Sequence, residues 1–118
     1  MDIESARTFC LRLKGVTESF PFDEVTLVFK VENKMFAVLP LEKIEKSITL
    51  KCDPDLSIDL RERYVAVRPA WHFNKKHWNS IDLVSDMPDK EILYWIDHSY
   101  RLAISKLAKK IRTEYEDV

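Results

Sequence analysis

His72 and His77 stand five residues apart with Cys52 upstream, residue types that ligate zinc. A structural zinc site needs four such ligands, and the one remaining histidine, His98, lies far downstream beside Ser99. No metal and no cofactor is therefore expected. Ser80 and Asp82 follow His77 closely, but no nucleophile-elbow or oxyanion pattern accompanies them. The carboxylate pairs Asp53/Asp55 and Asp86/Asp89 sit at the starts of predicted helices, where capping explains them. No catalytic residue is assigned, and no enzymatic activity is expected. A different chemistry suits the segment Arg68-Pro69-Ala70-Trp71-His72-Phe73-Asn74-Lys75-Lys76-His77-Trp78-Asn79. Nucleic-acid binding needs cations for phosphates and planar side chains for stacking or wedging. Lys75 and Lys76, flanked by Phe73, His77 and Trp78, supply both. The same residues also fit a plainer role, in which the rings close the end of a core and the lysines keep a loop solvated.

Composition narrows the classes. The 118 residues, 46% hydrophobic and 33% charged, describe one globular domain, 1–118. No apolar run approaches the roughly 20 residues of a membrane span. The acidic start Met1-Asp2-Ile3-Glu4 lacks a signal-peptide pattern, so a cytoplasmic location is expected. Cys10 and Cys52 occupy apolar periodic contexts without a C-x-x-C and are read as buried thiols. The net charge of −1 conceals an uneven distribution. Between Arg61 and Asn79, five cations (Arg61, Arg63, Arg68, Lys75, Lys76) face Glu62 alone, whereas Glu18 to Glu24 holds three acids and no base. Gly15 is the only glycine, so neither G-x-G-x-x-G nor a P-loop can be written.

Periodicity supplies the elements that would carry this segment. Ile3, Ala6, Phe9/Cys10 and Leu13 predict a helix capped by Asp2 and ended by Gly15. Val16 to Asp23 reads as a loop pinned to the core by Phe20 and Phe22. Thr26–Val31 and Met35–Leu39 predict a hairpin with Asn33 in the left-handed position of its turn. Ser47–Cys52 alternates as a strand with Thr49 and Lys51 outward. Asp53-Pro54 opens a short helix faced by Leu56, Leu60 and Tyr64 and ending near Arg63. Tyr64–Val67 is a candidate strand. From His77 the alternation resumes, with Ile81 and Leu83 on one face and Trp78 on the other. A stripe from Ile92 to Ile111 predicts one long helix over Asp86–Arg112, followed by a tail (about 110–118) that frays. The order predicts an α+β domain: an antiparallel sheet of about five strands, flanked by N-terminal and long C-terminal helices, its other face partly open.

Val25–Val31, Lys34–Ala37, Leu50–Pro54, Arg68-Pro69 with His72, Asn74-Lys75-Lys76-His77-Trp78-Asn79 and Ile96-Asp97-His98-Ser99-Tyr100 together resemble the MmcQ/YjbR family, colinearly from about Ala6 to Lys109. The resemblance implies a CyaY-like (frataxin-like) α+β fold whose protruding β-turns form a double wing proposed to bind DNA. It places that role on Lys75, Lys76 and their neighbours Asn74, His77 and His72, and on Lys34 in the first hairpin. Strand alternation adds the outward-facing Arg68, Trp78 and Lys51 as residues expected to share that surface. Relatives tend to carry glycine in that hairpin turn, where this chain has Glu32-Asn33. DNA is thus the expected partner. The alternative is a protein-interaction module using the open sheet face or the long helix, and a small-ligand site near Trp71, His72 and Trp78 stands third.

Overall fold

The computed structural model describes residues 1–118. Helix α1 (Ile3–Arg12) starts where the Asp2 carboxylate accepts the Ser5 amide at 2.7 Å, satisfying a first-turn N–H that has no partner within the helix. It is followed by Gly15, whose φ of +75° lies in the left-handed region. A Cβ at this position would collide with the Tyr115 hydroxyl. Gly15→Ala is accordingly expected to lose more than about 1 kcal/mol. The readout is the denaturant midpoint, and an unchanged midpoint would refute the constraint.

Six strands form one antiparallel sheet: β1 (Val16–Ser19), β2 (Thr26–Val31), β3 (Lys34–Pro40), β4 (Ser47–Lys51), β5 (Val67–Pro69) and β6 (Trp78–Asp82). Their spatial order is β1-β2-β3-β4-β6-β5. Glu32 and Asn33 take φ of 48° and 65°, so β2 and β3 join through a two-residue turn whose twist matches the strands. The α+β architecture and the antiparallel sheet are as the periodicity predicts. Helix α3 (Asp89–Ser105) lies across β2, β3 and β4, with α1 beside it. Between helices and sheet, Phe29, Phe36, Leu39, Ile48, Leu50, Ile81, Ile92, Ile96 and Tyr100 make the core. Helix α2 (Pro54–Arg63) follows β4, capped by Asp53.

Ser99 shows how α3 grips the sheet. The β2–β3 register slips at Phe29/Lys30, and Phe36 and Ala37 both join the core. The Ser99 hydroxyl donates to the Phe36 carbonyl and accepts the Lys51 amide at 2.9 Å, completing the β3–β4 ladder where the strands part. Ser99→Ala would strand a buried carbonyl and a part-buried amide. It is expected to cost about 1–3 kcal/mol, visible in denaturant melts and as faster exchange of the Lys51 amide. A variant as stable as the parent, with that amide still protected, would refute the bridge. His98 beside it accepts the Asp53 amide at 3.3 Å. Burial holds this imidazole below its ordinary value of 6.5, keeping the neutral form that an acceptor requires.

Five expectations are corrected. Val16–Ser19 is an edge strand rather than loop, and Phe20 and Phe22 are exposed instead of pinned to the core. An edge strand with one apolar residue has no alternation to betray it. In α2 the buried residues are Ser57 and Leu60, while Leu56 is exposed. Strand β5 begins at Val67, because the Val65 and Ala66 amides bind the Asp86 carboxylate at 2.8 and 2.9 Å. Those bonds hold Asp86 below the usual carboxylate range. The long helix stops at Ser105, and a short α4 (Lys109–Arg112) follows. Seventeen residues span about 25 Å. Further turns in line would bury little, whereas the break leaves Leu107 and Tyr115 buried. The tail packs instead of fraying: Tyr115 donates to Glu32 at 2.9 Å and Lys14 pairs with Asp117 at 3.1 Å. No helix is long and apolar enough to cross a membrane.

Candidate nucleic-acid interface

The registers Val31↔Lys34, Ala37↔Leu50, Lys51↔Trp78 and Pro69↔Asn79 bring the β2–β3 turn and the β5–β6 connection to one end of the sheet. Three strand spacings separate their centres, about 14 Å. The connection, residues 70–77, is two successive turns rather than an open loop. Phe73 N–H donates to the Ala70 carbonyl at 3.1 Å, and His77 N–H to the Asn74 carbonyl at 3.0 Å. The Asn74 side chain accepts the Lys76 amide at 3.0 Å, so this asparagine builds the turn. His77, half-buried, is tied to the frame through its carbonyl, which accepts the Cys52 amide at 2.7 Å.

Arg61 fastens the whole turn. From α2 its guanidinium donates to Asn79 Oδ1 at 2.7 Å, to Ser57 Oγ at 3.3 Å and to the Lys75 carbonyl. Asn79, buried, returns a bond to the Ser57 carbonyl at 3.3 Å. The sequence presents Arg61 only as one more cation, because its partners on β6 and the turn are remote along the chain. Its guanidinium is engaged here and does not face a ligand.

The predicted site residues separate into two sets. Lys75, Lys76 and His72 are exposed, as is Lys34 beside the β2–β3 turn. Lys75 Nζ lies 4.1 Å from the centre of the Trp71 ring, a cation–π contact with a ring 66% exposed. Lys51 is half-buried on the outer face, paired in register with Trp78. Arg68, by contrast, is ion-paired with Asp82. Trp78 shares the outer face, opposite Ile81 as alternation requires, but it is only 8% exposed and packs on Phe73 at 5.2 Å between ring centres. The outer face is less open than the strand pattern implies, since Val28 and Val38 are buried there too. Of the five cations between Arg61 and Asn79, Arg63 pairs with Asp59 and Arg68 with Asp82, while Arg61 is spent on the turn. Lys75 and Lys76 alone keep uncompensated charge.

The other candidate chemistries are not assembled. No three of the His, Cys, Asp and Glu side chains gather as a metal would require. Ser80 bonds to Thr49 at 2.9 Å between hydroxyl oxygens. Burial pushes the Cys10 thiol up to about 12 and the Cys52 thiol up to about 11, the range of unreactive core cysteines.

A family model described as YjbR matches residues 11–102. The chain belongs to the YjbR family. The uncharacterized YjbR protein of Escherichia coli K12 is 32% identical over 112 residues, covering 95% of both chains. The uncharacterized YbdF protein of Escherichia coli O157:H7 is 31% identical over 107 residues, covering 91% of this chain and 88% of its own. Among solved structures, Deinococcus radiodurans DR2400, a DUF419 domain, superposes with a TM-score of 0.89 at 32% identity, over 95% of this chain and 86% of that one. A Pseudomonas syringae crystal structure gives a TM-score of 0.75 at 27% identity, over 87% and 99%. Within this YjbR fold the Asp97-His98-Ser99-Tyr100 string has a structural account. His98 and Ser99 bind β4 and its end, and the Tyr100 hydroxyl donates to the Lys14 carbonyl at 2.6 Å.

Proposed function

We propose that the chain binds duplex DNA by phosphate contacts from Lys75 and Lys76, with Lys34 on the neighbouring hairpin as a second point of attachment. One observation carries this: of the basic segment, only these two lysines are uncompensated, and they sit on a turn that Arg61 holds rigid. A fastened turn presents charge without the ordering cost of a mobile loop. The spacing of the two turns, about 14 Å, suits phosphates on either side of a major groove about 12 Å wide. Glu32 at the hairpin tip opposes phosphate, so the lysine turn carries the larger share. Phosphate contact reads no bases, and little sequence preference is expected. A mobility-shift titration at two salt concentrations tests the proposal. Affinity should drop steeply as salt rises, and the absence of any complex at low salt would reject it.

The protein-interaction reading has its own observation at the opposite end of the sheet. Ile44 and Val84 border one hollow and are 97% and 82% exposed. It predicts a defined oligomer or a protein partner whose binding is indifferent to DNA.

A further inference from the structure

A trough crosses the sheet face that points away from the helices. Its aromatic half, about 410 Å³, is lined by Phe22, Val38, Trp71, Phe73 and Asp23. Its polar half, about 290 Å³, is lined by Lys43, Glu45, Ser47 and Arg68. Thr49 and Ser80 belong to both halves and make them continuous. Phe22 arrives from the β1–β2 connection at one end of the sheet and Trp71 from the β5–β6 turn at the other.

We propose that this trough binds one nucleotide unit, its base against Phe22 and Trp71 and its phosphate at Lys43. Phe22 and Trp71 remain 62% and 66% exposed, rings that add little to the core but offer stacking faces. The Thr49 and Ser80 hydroxyls bond to each other at 2.9 Å, which consumes one proton and leaves one O–H to donate. That donor sits between the aromatic and polar halves, where a sugar would lie. In the polar half Arg68 is neutralised by Asp82, and Lys43 has no ion-pair partner. Glu45 on the same rim disfavours a polyphosphate and leaves a single phosphodiester or monophosphate as the anion. Asp23 spends Oδ1 on the Val25 and Thr26 amides and Oδ2 on the Thr26 hydroxyl. One acceptor position on Oδ2 is left for an exocyclic amino group of a base. The same chemistry is offered by a free mononucleotide or by an unpaired base in a strand. The trough shares Trp71 and Phe73 with the lysine turn, but neither Lys75 nor Lys76 lines it, and the proposal stands without duplex binding.

The test is a set of amide chemical-shift titrations of the full chain with adenosine 5′-monophosphate, ribose 5-phosphate and a short oligodeoxyadenylate. Adenosine monophosphate at millimolar concentration should shift Thr49, Ser80 and the Trp71 indole to saturation. Ribose 5-phosphate, lacking the base, should bind about five- to hundredfold more weakly, the range expected for loss of one stacked base. Phe22→Ala should weaken the nucleotide by a similar factor and Lys43→Ala severalfold. Both side chains are exposed, so neither change should alter folding. Tighter binding of the oligonucleotide through the same residues identifies an unpaired strand as the source. Equal or tighter binding of the mononucleotide identifies the free ligand. No saturable shift, equal affinity for ribose 5-phosphate, or indifference to Phe22→Ala would overturn the proposal. Duplex retention of the Phe22→Ala variant should match the parent, so a failure here leaves the lysine turn untouched. A failure of duplex binding likewise leaves the nucleotide titration standing.

Discussion

Trp78→Ala is expected to lower folding stability by about 3–5 kcal/mol, the range for truncating a buried aromatic ring. Alternation along β6 puts Trp78 on the face opposite Ile81, where a solvent-facing ring would contribute little. The turn reverses that expectation. Residues 70–77 fold back so that Phe73 lies 5.2 Å from the indole, and the Ala70 amide donates to the Trp78 carbonyl at 3.1 Å. Removing the ring leaves a cavity beneath the segment that presents Lys75 and Lys76. Equilibrium unfolding in denaturant decides the matter, with an unchanged slope certifying that both variants unfold from comparable states. A loss below about 1 kcal/mol would mean that the ring is solvated and the turn is not seated on it.

Replacing Lys75 and Lys76 together with alanine is expected to weaken binding to every duplex sequence alike and to flatten its salt dependence. If about four phosphates are neutralised, log affinity should fall against log salt with a slope of about −3.6, roughly a hundredfold between 50 and 200 mM. Losing two contacts should reduce the slope by about two units. Folding should hardly change, since both side chains are exposed and neither belongs to an ion pair. Lys75 does lie over the Trp71 ring, but cation–π contacts at exposed sites contribute only about 0.5–1 kcal/mol. Arg68→Ala offers the contrast. With its charge already met by Asp82, it should alter the slope less than either lysine. A double-lysine variant that binds as the parent does, with an unchanged slope, would refute the proposed interface.

Periodicity and capping residues determined the α1 helix and its Asp2 cap, the β2–β3 hairpin, β4, β6 and the body of α3. Helix α3 nevertheless opens at Asp89 and not at Asp86, whose carboxylate holds the Val65 and Ala66 amides. In the helices burial of one face imposes a period of 3.6, and in the strands runs of β-branched and aromatic residues mark the element even where both faces are buried. The same pattern determined that Trp78 lies opposite Ile81, and the charge pattern singled out Lys75 and Lys76. The edge strand β1 left no such record, because Val16 is its one apolar residue and hydrogen bonds to β2 do the rest. The end of α3 was equally invisible: apolar residues continue at helical spacing through Ile111, and only the outline of the sheet decides where a straight helix stops being supported. Tertiary structure likewise decided which cations remain free. Arg61, Arg68, Lys75 and Lys76 look alike along the chain, and only packing sends Arg61 to Asn79 and Arg68 to Asp82. The trough is the extreme case. Phe22, Lys43, Thr49, Trp71 and Ser80 come from five separate strands and connections, and short-range residue patterns carry no information about contacts made across a sheet.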